Sequence, residues 1–461
     1  MPLNLLKNSF ILFILILGQF LFNQSFGQSI HWQKLPLKIN KTPRIFYSDS
    51  LTGKLIVSGE FTEVDSFLSN TFLFNGNKVS FFNGSNFKFQ PFDIIKRNNG
   101  QLFFGGDGLY IYADTGLIRV DSNKNSNQVI TLFENNNQLL IGGIFGNSIN
   151  PKIQYAPVSI LDQFNWHPLY GIDTILKDKS YGISSIISYK NELFVAGNIS
   201  PIGKIKEILK WDNTKWTDVG GGIPGIGDEW VTDMEIYKGE LYVAGRFLRA
   251  TGAIDNNIIR WDGTQWKDVG GGVEGTMIYD MQIFDNELWV VGKFYAAGGI
   301  PADNIAKWDG TKWCSLGSKF NNGLVCLGVY KNELYLGGGF TSIDGDTSIK
   351  YIAKWIGGNY TDTCAVKSYV GINESERSNF ASISVYPNPC HNKLIIRNVN
   401  GINNQNTDLK IYNSIGQEMV VNKGDFINNE LIIDVKNLKA GIYICEYEFN
   451  HQIFRMKFQK D

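Results

Sequence analysis

The sequence predicts an all-β chain: a seven-bladed β-propeller of four-stranded meander blades plus a small C-terminal Ig-like β-sandwich. Three observations predict it. A short apolar strand ending in small residues recurs seven times, a Trp-rich turn motif keeps step with it, and a different set of alternating strands begins beyond Cys364. The composition agrees, since 13% aromatic residues and 49 Gly against 12 Pro suit many short strands joined by tight turns.

The recurring strand reads KLIVSG at 54–59, QLFFGG at 101–106, QLLIGG at 138–143, ELFVAG at 192–197, ELYVAG at 240–245, ELWVVG at 287–292 and ELYLGG at 333–338. The turn motif reads KWDNTKW at 210–216, RWDGTQW at 260–266, KWDGTKW at 307–313 and a decayed KWIGGNY at 354–360. Earlier copies are FFNGSNF at 81–87 and ILDQFNW at 160–166, with a barely recognisable one near Val120 and Asp121. Asp262-Gly263, Asp309-Gly310 and Asn83-Gly84 tolerate positive φ at both centres of a type I′ turn, so each motif is expected to close a hairpin in that way. Lys190-Asn191, Lys238-Gly239, Asp285-Asn286 and Lys331-Asn332 mark a second tight turn before the recurring strand.

One unit therefore runs as strands at 281–284, 288–292, 304–308 and 312–316, a meander of roughly 45 residues and the size of a propeller blade. Seven such units argue for a closed ring, because each buries its faces only on its neighbours and closure removes exposed edges. HWQKLPL at 31–37 has the W-x-x-L form of a fourth strand, as at Trp216 to Val219. It is expected to complete the last unit, whose own fourth strand at 359–364 is weak. The periodic tryptophans 211, 216, 261, 266, 308 and 313 read as core between units.

The small-residue pair ending the second strand (Gly337-Gly338) and the aromatics Trp308 and Trp313 resemble kelch-like and galactose-oxidase-central-domain propellers. The resemblance covers roughly residues 30–365 and speaks to architecture rather than activity.

Four segments follow. Residues 1–27 have the order of a signal peptide, with Lys7, an apolar run from Phe10 to Leu17 and small polar residues before Gly27. That run falls short of the ~20 residues needed to span a bilayer, so the mature chain is expected to have no transmembrane segment. Residues 28–365 form the propeller, 366–382 a polar linker and 383–461 a second β domain. Of five cysteines none has CxxC spacing, so no metal site is expected; Cys390 and Cys445 could pair or stay buried thiols.

The second domain carries VYPNP at 385–389, KLIIRN at 393–398, LKIYNSIGQEM at 409–419 and LIIDVKNLKAGIYIC at 431–445. This succession resembles the type A sorting domain of the bacterial type IX secretion system. The positions that carry the resemblance are Tyr386, Pro387, Asn388, Pro389, Gly416, Gly441 and Tyr443. It implies passage to the periplasm, then delivery by the type IX machinery to the cell surface or the medium.

With 43 basic against 44 acidic residues, net charge -1, nothing favours nucleic acid as a partner. The four histidines are His31, His167, His391 and His451, too few for a copper site or a Ser-His-Asp arrangement, and no cofactor is expected. The glycine runs 220–222 and 270–272 recur at one point of successive units, and Asp344-Gly345-Asp346 lacks the further oxygens of a calcium loop, so both read as turns. Ligand contacts are expected where loops depart from the repeat: Asp228, Glu229, Trp230, Arg249, Tyr279, Asp280 and Tyr295. The expected function is a non-enzymatic surface or secreted module binding a glycan, peptide or protein. The competing expectation is a polysaccharide hydrolase or lyase using paired carboxylates on those loops.

Overall fold

The computed structural model describes residues 31–461 except 51, 83–88, 114–115, 121–126, 146–156, 163–164, 170–171, 173–181, 200–206, 224–229, 248–255, 359–362, 365–382, 387–388, 399–408, 414–416, 428–429 and 450–451. The expected leader and linker lie outside the described residues. The chain divides into two compact units, Met1–Ser368 and Tyr369–Asp461. Among the described residues there is no α-helix, and no helix is long and apolar enough to cross a membrane.

The sixth meander shows how the sequence makes the repeat. Val273–Phe284, Glu287–Ala297, Ile305–Trp308 and Trp313–Ser315 pair antiparallel in order, with Leu288 opposite Trp308 and Val291 opposite Ile305. The second strand is apolar throughout because both its faces are covered: Leu288, Val290 and Val291 are fully buried, and each such side chain stabilises the fold by about 1.5–3 kcal/mol. The hairpin at Asp285-Asn286 has φ of 49° and 60°, the left-handed pair of a type I′ turn, and Lys190-Asn191, Lys238-Gly239 and Lys331-Asn332 repeat it.

The small residue ending the motif is imposed by the backbone. At Gly245 a Cβ would lie 2.0 Å from the Trp230 carbonyl oxygen, where the partner strand bulges between Val231 and Asp233.

The same four-strand order recurs from the innermost strands Pro43–Asp49, Asp93–Lys96, Asn127–Asn135, Gly182–Tyr189, Trp230–Tyr237, Val273–Phe284 and Leu324–Tyr330. Each innermost strand packs on that of the next meander, and Leu324–Tyr330 packs on Pro43–Asp49, which closes a ring. Between meanders lie the repeated tryptophans: Trp266 and Trp313 donate their ring N–H to the carbonyls of Val219 and Val269 in the preceding meander, at 3.0 and 2.6 Å. Gly270, with φ of 62°, permits that approach, since a Cβ there would sit 2.6 Å from the Trp308 ring. The glycine runs are thus turns that seat the next tryptophan pair.

The N-terminal strand behaves as expected. Trp32–Lys34 pairs antiparallel with Ile352–Trp355, Trp32 opposite Trp355, and supplies the fourth strand of the last meander. The segment expected to compete for that place goes elsewhere. Thr363–Cys364 pairs with Trp313–Ser315 of the preceding meander, and Cys364 is disulfide-bonded to Cys314, 50 residues away.

One alternative left open is decided and two further expectations are corrected. Cys390 and Cys445 are buried free thiols, so the disulfide lies in the ring unit instead. The third-to-fourth-strand turn of the second meander closes between Ala113 and Gly116, several residues before Val120. The Asp-Gly motifs are not type I′ turns: only Gly263 and Gly310 have positive φ, and Trp308 pairs with Trp313 across a four-residue loop. There Asp309 Oδ1 accepts the backbone N–H of Thr311 and Lys312 at 2.7 and 2.9 Å, so the carboxylate, rather than a second left-handed residue, organises the turn. In the equivalent turn the Thr214 hydroxyl, with the N–H groups of Lys215 and Thr214, holds the Asp212 carboxyl down at about 2. Asn83-Gly84 lies outside the described residues.

The C-terminal unit has two four-stranded antiparallel sheets. In one, Lys393–Asn398 lies between Ile383–Tyr386 and Glu430–Asp434; in the other, Gly441–Phe449 lies between Leu409–Asn413 and Gln452–Lys460. Leu394, Ile396 and Ile433 of the first pack with Ile411, Cys445 and Phe458 of the second in one core.

Candidate functional site

The ends of the meanders where the second strand turns into the third also receive the incoming innermost strand, because successive strands are antiparallel. Two large aromatic residues stand out at that end on adjacent meanders. Trp230 opens the strand Trp230–Tyr237 and is 43% exposed, and Tyr295, near the end of Glu287–Ala297, is 63% exposed. Tyr279 lies in the bulge between Ile278 and Asp280, where the two preceding meanders carry Ser184 and Thr232. Those two hydroxyls donate across to the next meander, Ser184 to the Val231 carbonyl and Thr232 to the Ile278 carbonyl. Asp228, Glu229 and Arg249 lie outside the described residues.

Asp280 is placed within the innermost strand rather than on a loop, and it belongs to a set that loop-directed reasoning missed. At one register of the innermost strand, opposite Gly105, Ala244 and Val291 of the second strand, stand Asp93, Asp233 and Asp280 in three meanders. Each carboxylate reaches the next meander: Asp93 accepts the Leu132 N–H at 2.6 Å, Asp233 that of Met281 at 2.9 Å, and Asp280 that of Leu327 at 2.6 Å. Cys326, at the same position in the last meander, donates its thiol to the Pro43 carbonyl at 3.5 Å. One position in the repeat therefore ties each of these meanders to its successor. The signal was present as VTDMEIY, IYDMQIF and FDIIK, in which an Asp interrupts an apolar strand at one register.

Enclosure governs the charge of these groups. Burial pushes Asp93 up to about 7 despite hydrogen bonds from Leu132, Ile94 and Thr131. Burial, followed by the charges of Asp280 and Glu235, pushes Asp233 well above the carboxylate range, while burial first and Glu235 among its neighbours raise Asp280. The charge of Asp280 acts on Asp233, and two neighbouring carboxylates that repel in this way titrate as a pair. Glu235 is itself raised by burial.

A folded-state value above the unfolded one means that folding takes up protons. The stabilisation is therefore full below the unfolded value of about 4 and is lost as pH rises toward 7. For Asp93 the loss is on the order of 1–2 kcal/mol, less than full burial would give because the side chain retains some solvent contact. Asp93→Asn keeps an oxygen for Leu132 and removes the titration. Thermal unfolding at pH 5 and pH 8 should show a smaller stability difference in this variant than in the parent, and an unchanged difference would exclude the carboxylate as its source.

These carboxylates spend their oxygens on backbone N–H groups, an arrangement suited to joining strands. Asp344 and Asp346 are likewise engaged, accepting the N–H groups of Lys319 and Ser348 at 2.7 and 2.8 Å, as a polar turn requires. No group of His, Cys, Asp and Glu able to hold a metal ion occurs among the described residues.

In the C-terminal unit, Tyr443 is buried, stacks on Phe458 with ring centroids 5.5 Å apart and donates its hydroxyl to the Lys439 carbonyl at 2.8 Å. Gly441 opens its strand, Tyr386 ends the strand Ile383–Tyr386, and Pro389 is exposed. Pro387, Asn388 and Gly416 lie outside the described residues.

Among solved structures, the chain is similar to the β-propeller domain of the Trilobed protease from Pyrococcus furiosus, which has an open velcro topology. The identity is 13% and the TM-score 0.41, over 69% of this chain and 95% of that one. No curated protein matches the chain. The family model described as "Secretion system C-terminal sorting domain" matches residues 384–460. The C-terminal unit is thus a type IX sorting domain, and the chain that carries it is a secreted or cell-surface protein exported through that system.

Proposed function

We propose that the ring is a seven-bladed, kelch-like propeller acting as a non-enzymatic binding or adhesion module, whose ligand is a glycan, peptide or protein met outside the cell. Each meander is one blade, preceded by a cleaved leader over 1–27 and followed by a linker over 366–382 and an Ig-like sorting sandwich over 383–461. The observation that carries the reading is the exposure of Trp230 and Tyr295 at the same end of adjacent meanders, where a ligand can lie across them. A Trp or Tyr ring offers a broad apolar face with a polar edge, suited to stacking on a sugar ring or a peptide side chain. Tyr279 lies between them in sequence, on a strand held to the next meander through Asp280, and Asp228, Glu229 and Arg249 are offered as further ligand contacts.

The test is a panel of extracellular polysaccharides and peptides offered to the purified mature protein. Saturable binding without product release is expected, weakened about ten-fold by Trp230→Ala or Tyr295→Ala, the effect of losing one well-placed aromatic contact. Release of sugar or peptide fragments would replace this reading with a hydrolase or lyase. Binding unchanged in both variants would move the ligand off this face.

A further inference from the structure

The opposite end of the ring, where the first strand turns into the second, carries a repeated ion pair. The Glu opening the second strand meets a basic residue of the third: Glu192 with Lys210 at 2.9 Å, Glu240 with Arg260 at 2.9 Å, Glu287 with Lys307 at 2.8 Å and Glu333 with Lys354 at 2.8 Å. The first three meanders lack this pair: Gln101 and Gln138 stand in place of the Glu in the second and third, and a cation takes that place in the first. The second strand of the first meander opens with Lys54 in place of Glu, and the basic position of its third strand is Leu73, opposite Ile56.

Lys54 contacts the Ser80 hydroxyl at 3.5 Å, and no carboxylate lies within ion-pair reach of it among the described residues. A cavity of about 340 Å³ occupies this place, lined by Lys54, Leu73, Phe81, Phe82, Lys96 and Tyr112 among others. That volume falls in the range of small-molecule sites.

The charges in the cavity wall do not cancel. Lys96 is neutralised by Asp49, whose side chain is 4% exposed and lies 3.0 and 3.1 Å from the ammonium, and which also accepts the Thr52 hydroxyl at 2.6 Å. Lys54 is left as the uncompensated cation. The lining also includes the aromatic residues Phe81, Phe82 and Tyr112, with Phe82 edge-on to Tyr112 at 4.8 Å between ring centroids. A single cation beside apolar ring faces selects a ligand with one negative group on a compact ring.

We propose that this cavity binds a small carboxylate-bearing ring, its carboxylate on the Lys54 ammonium and its ring against Phe81, Phe82 and Tyr112. The site is separate from the Trp230 face, at the other end of the strands, so either can fail without the other. Two sources share the chemistry, sugar acids and aryl carboxylates.

The experiment titrates the mature protein with D-glucuronate and with 4-hydroxybenzoate, each beside its neutral methyl ester, by calorimetry. Saturable binding of one acid and not of its ester is expected, and the acid that binds identifies the source. Lys54→Glu, which installs the residue that four other meanders carry, should weaken it at least about ten-fold, whereas Lys54→Arg should retain it. Leu73→Trp, which fills the cavity while leaving Lys54, should also abolish binding and serves as the test if Lys54→Glu does not fold. Absence of saturation by both acids up to about 10 mM, or affinity unchanged in both Lys54→Glu and Leu73→Trp, would overturn the proposal.

Discussion

Removal of residues 383–461 is expected to leave the protein in the periplasm. The match to a sorting domain over residues 384–460 places the export signal in this unit, and its two sheets close around their own core of Leu394, Ile411, Ile433, Cys445 and Phe458. Because the ring unit has separate cores, the truncated chain is expected to fold and to be absent from the surface for want of an address rather than for want of structure. Fractionation of cells producing the two forms, with the fold of the periplasmic material checked by circular dichroism, reads the result. A truncated form that reaches the surface or the medium in normal amounts would refute the sorting role.

The largest stability effect is expected from Trp32→Ala. Trp32 is 1% exposed, lies 4.8 Å from the Trp355 ring and 5.7 Å from Phe320 between centroids, and donates its ring N–H to the Ser318 hydroxyl at 2.9 Å. Truncation removes a large buried apolar surface, opens a cavity and leaves Ser318 without that donor, which together cost about 3–5 kcal/mol. The position magnifies the cost. Trp32–Lys34 is the strand that brings the start of the ring unit to its last meander, so its loss leaves the third strand Ile352–Trp355 with an open edge. Chemical denaturation should show the loss, accompanied by greater susceptibility to proteolysis at residues 31–37. A loss below about 1 kcal/mol would mean that closure rests on the innermost strands alone.

Much of the ring was legible in one dimension. The apolar second strands and the Lys-Asn and Lys-Gly turns follow from local propensity and from φ preferences that act over two to six residues, and the structure keeps them where the sequence puts them. Even the distant pairing of 31–37 was readable, because W-x-x-L repeats the form of strands whose role was already clear. The Asp-Gly turns were misread for a reason that is also local. The dipeptide suits a type I′ turn, but the following Thr and Lys or Gln offer two N–H groups to the Asp carboxylate, and the longer loop that captures both is formed instead.

The candidate sites divide along the same line. Trp230 and Tyr295 could be picked out because they depart from the repeat, and exposure follows from where the repeat ends. Asp93, Asp233 and Asp280 were hidden because a charged residue in an apolar strand has no meaning until its partner is known, and each partner is a backbone N–H 39, 48 or 47 residues further on. Lys54 was visible only as a variant letter in KLIVSG; its meaning came from the ion pairs that four other meanders make at that position.

The sequence by itself determined that the chain is all-β, where most strands begin and turn, and that its last segment carries an address for export. Tertiary structure alone decided that Cys364 pairs with Cys314 rather than leaving Cys390 to bond Cys445, that Thr363–Cys364 yields the last edge to Trp32–Lys34, and that half-buried carboxyls join successive meanders. The physical reason is range. Strand propensity and turn geometry are set by neighbours along the chain, whereas pairing partners, desolvation and the charge of a buried acid depend on groups brought near only when the ring has closed.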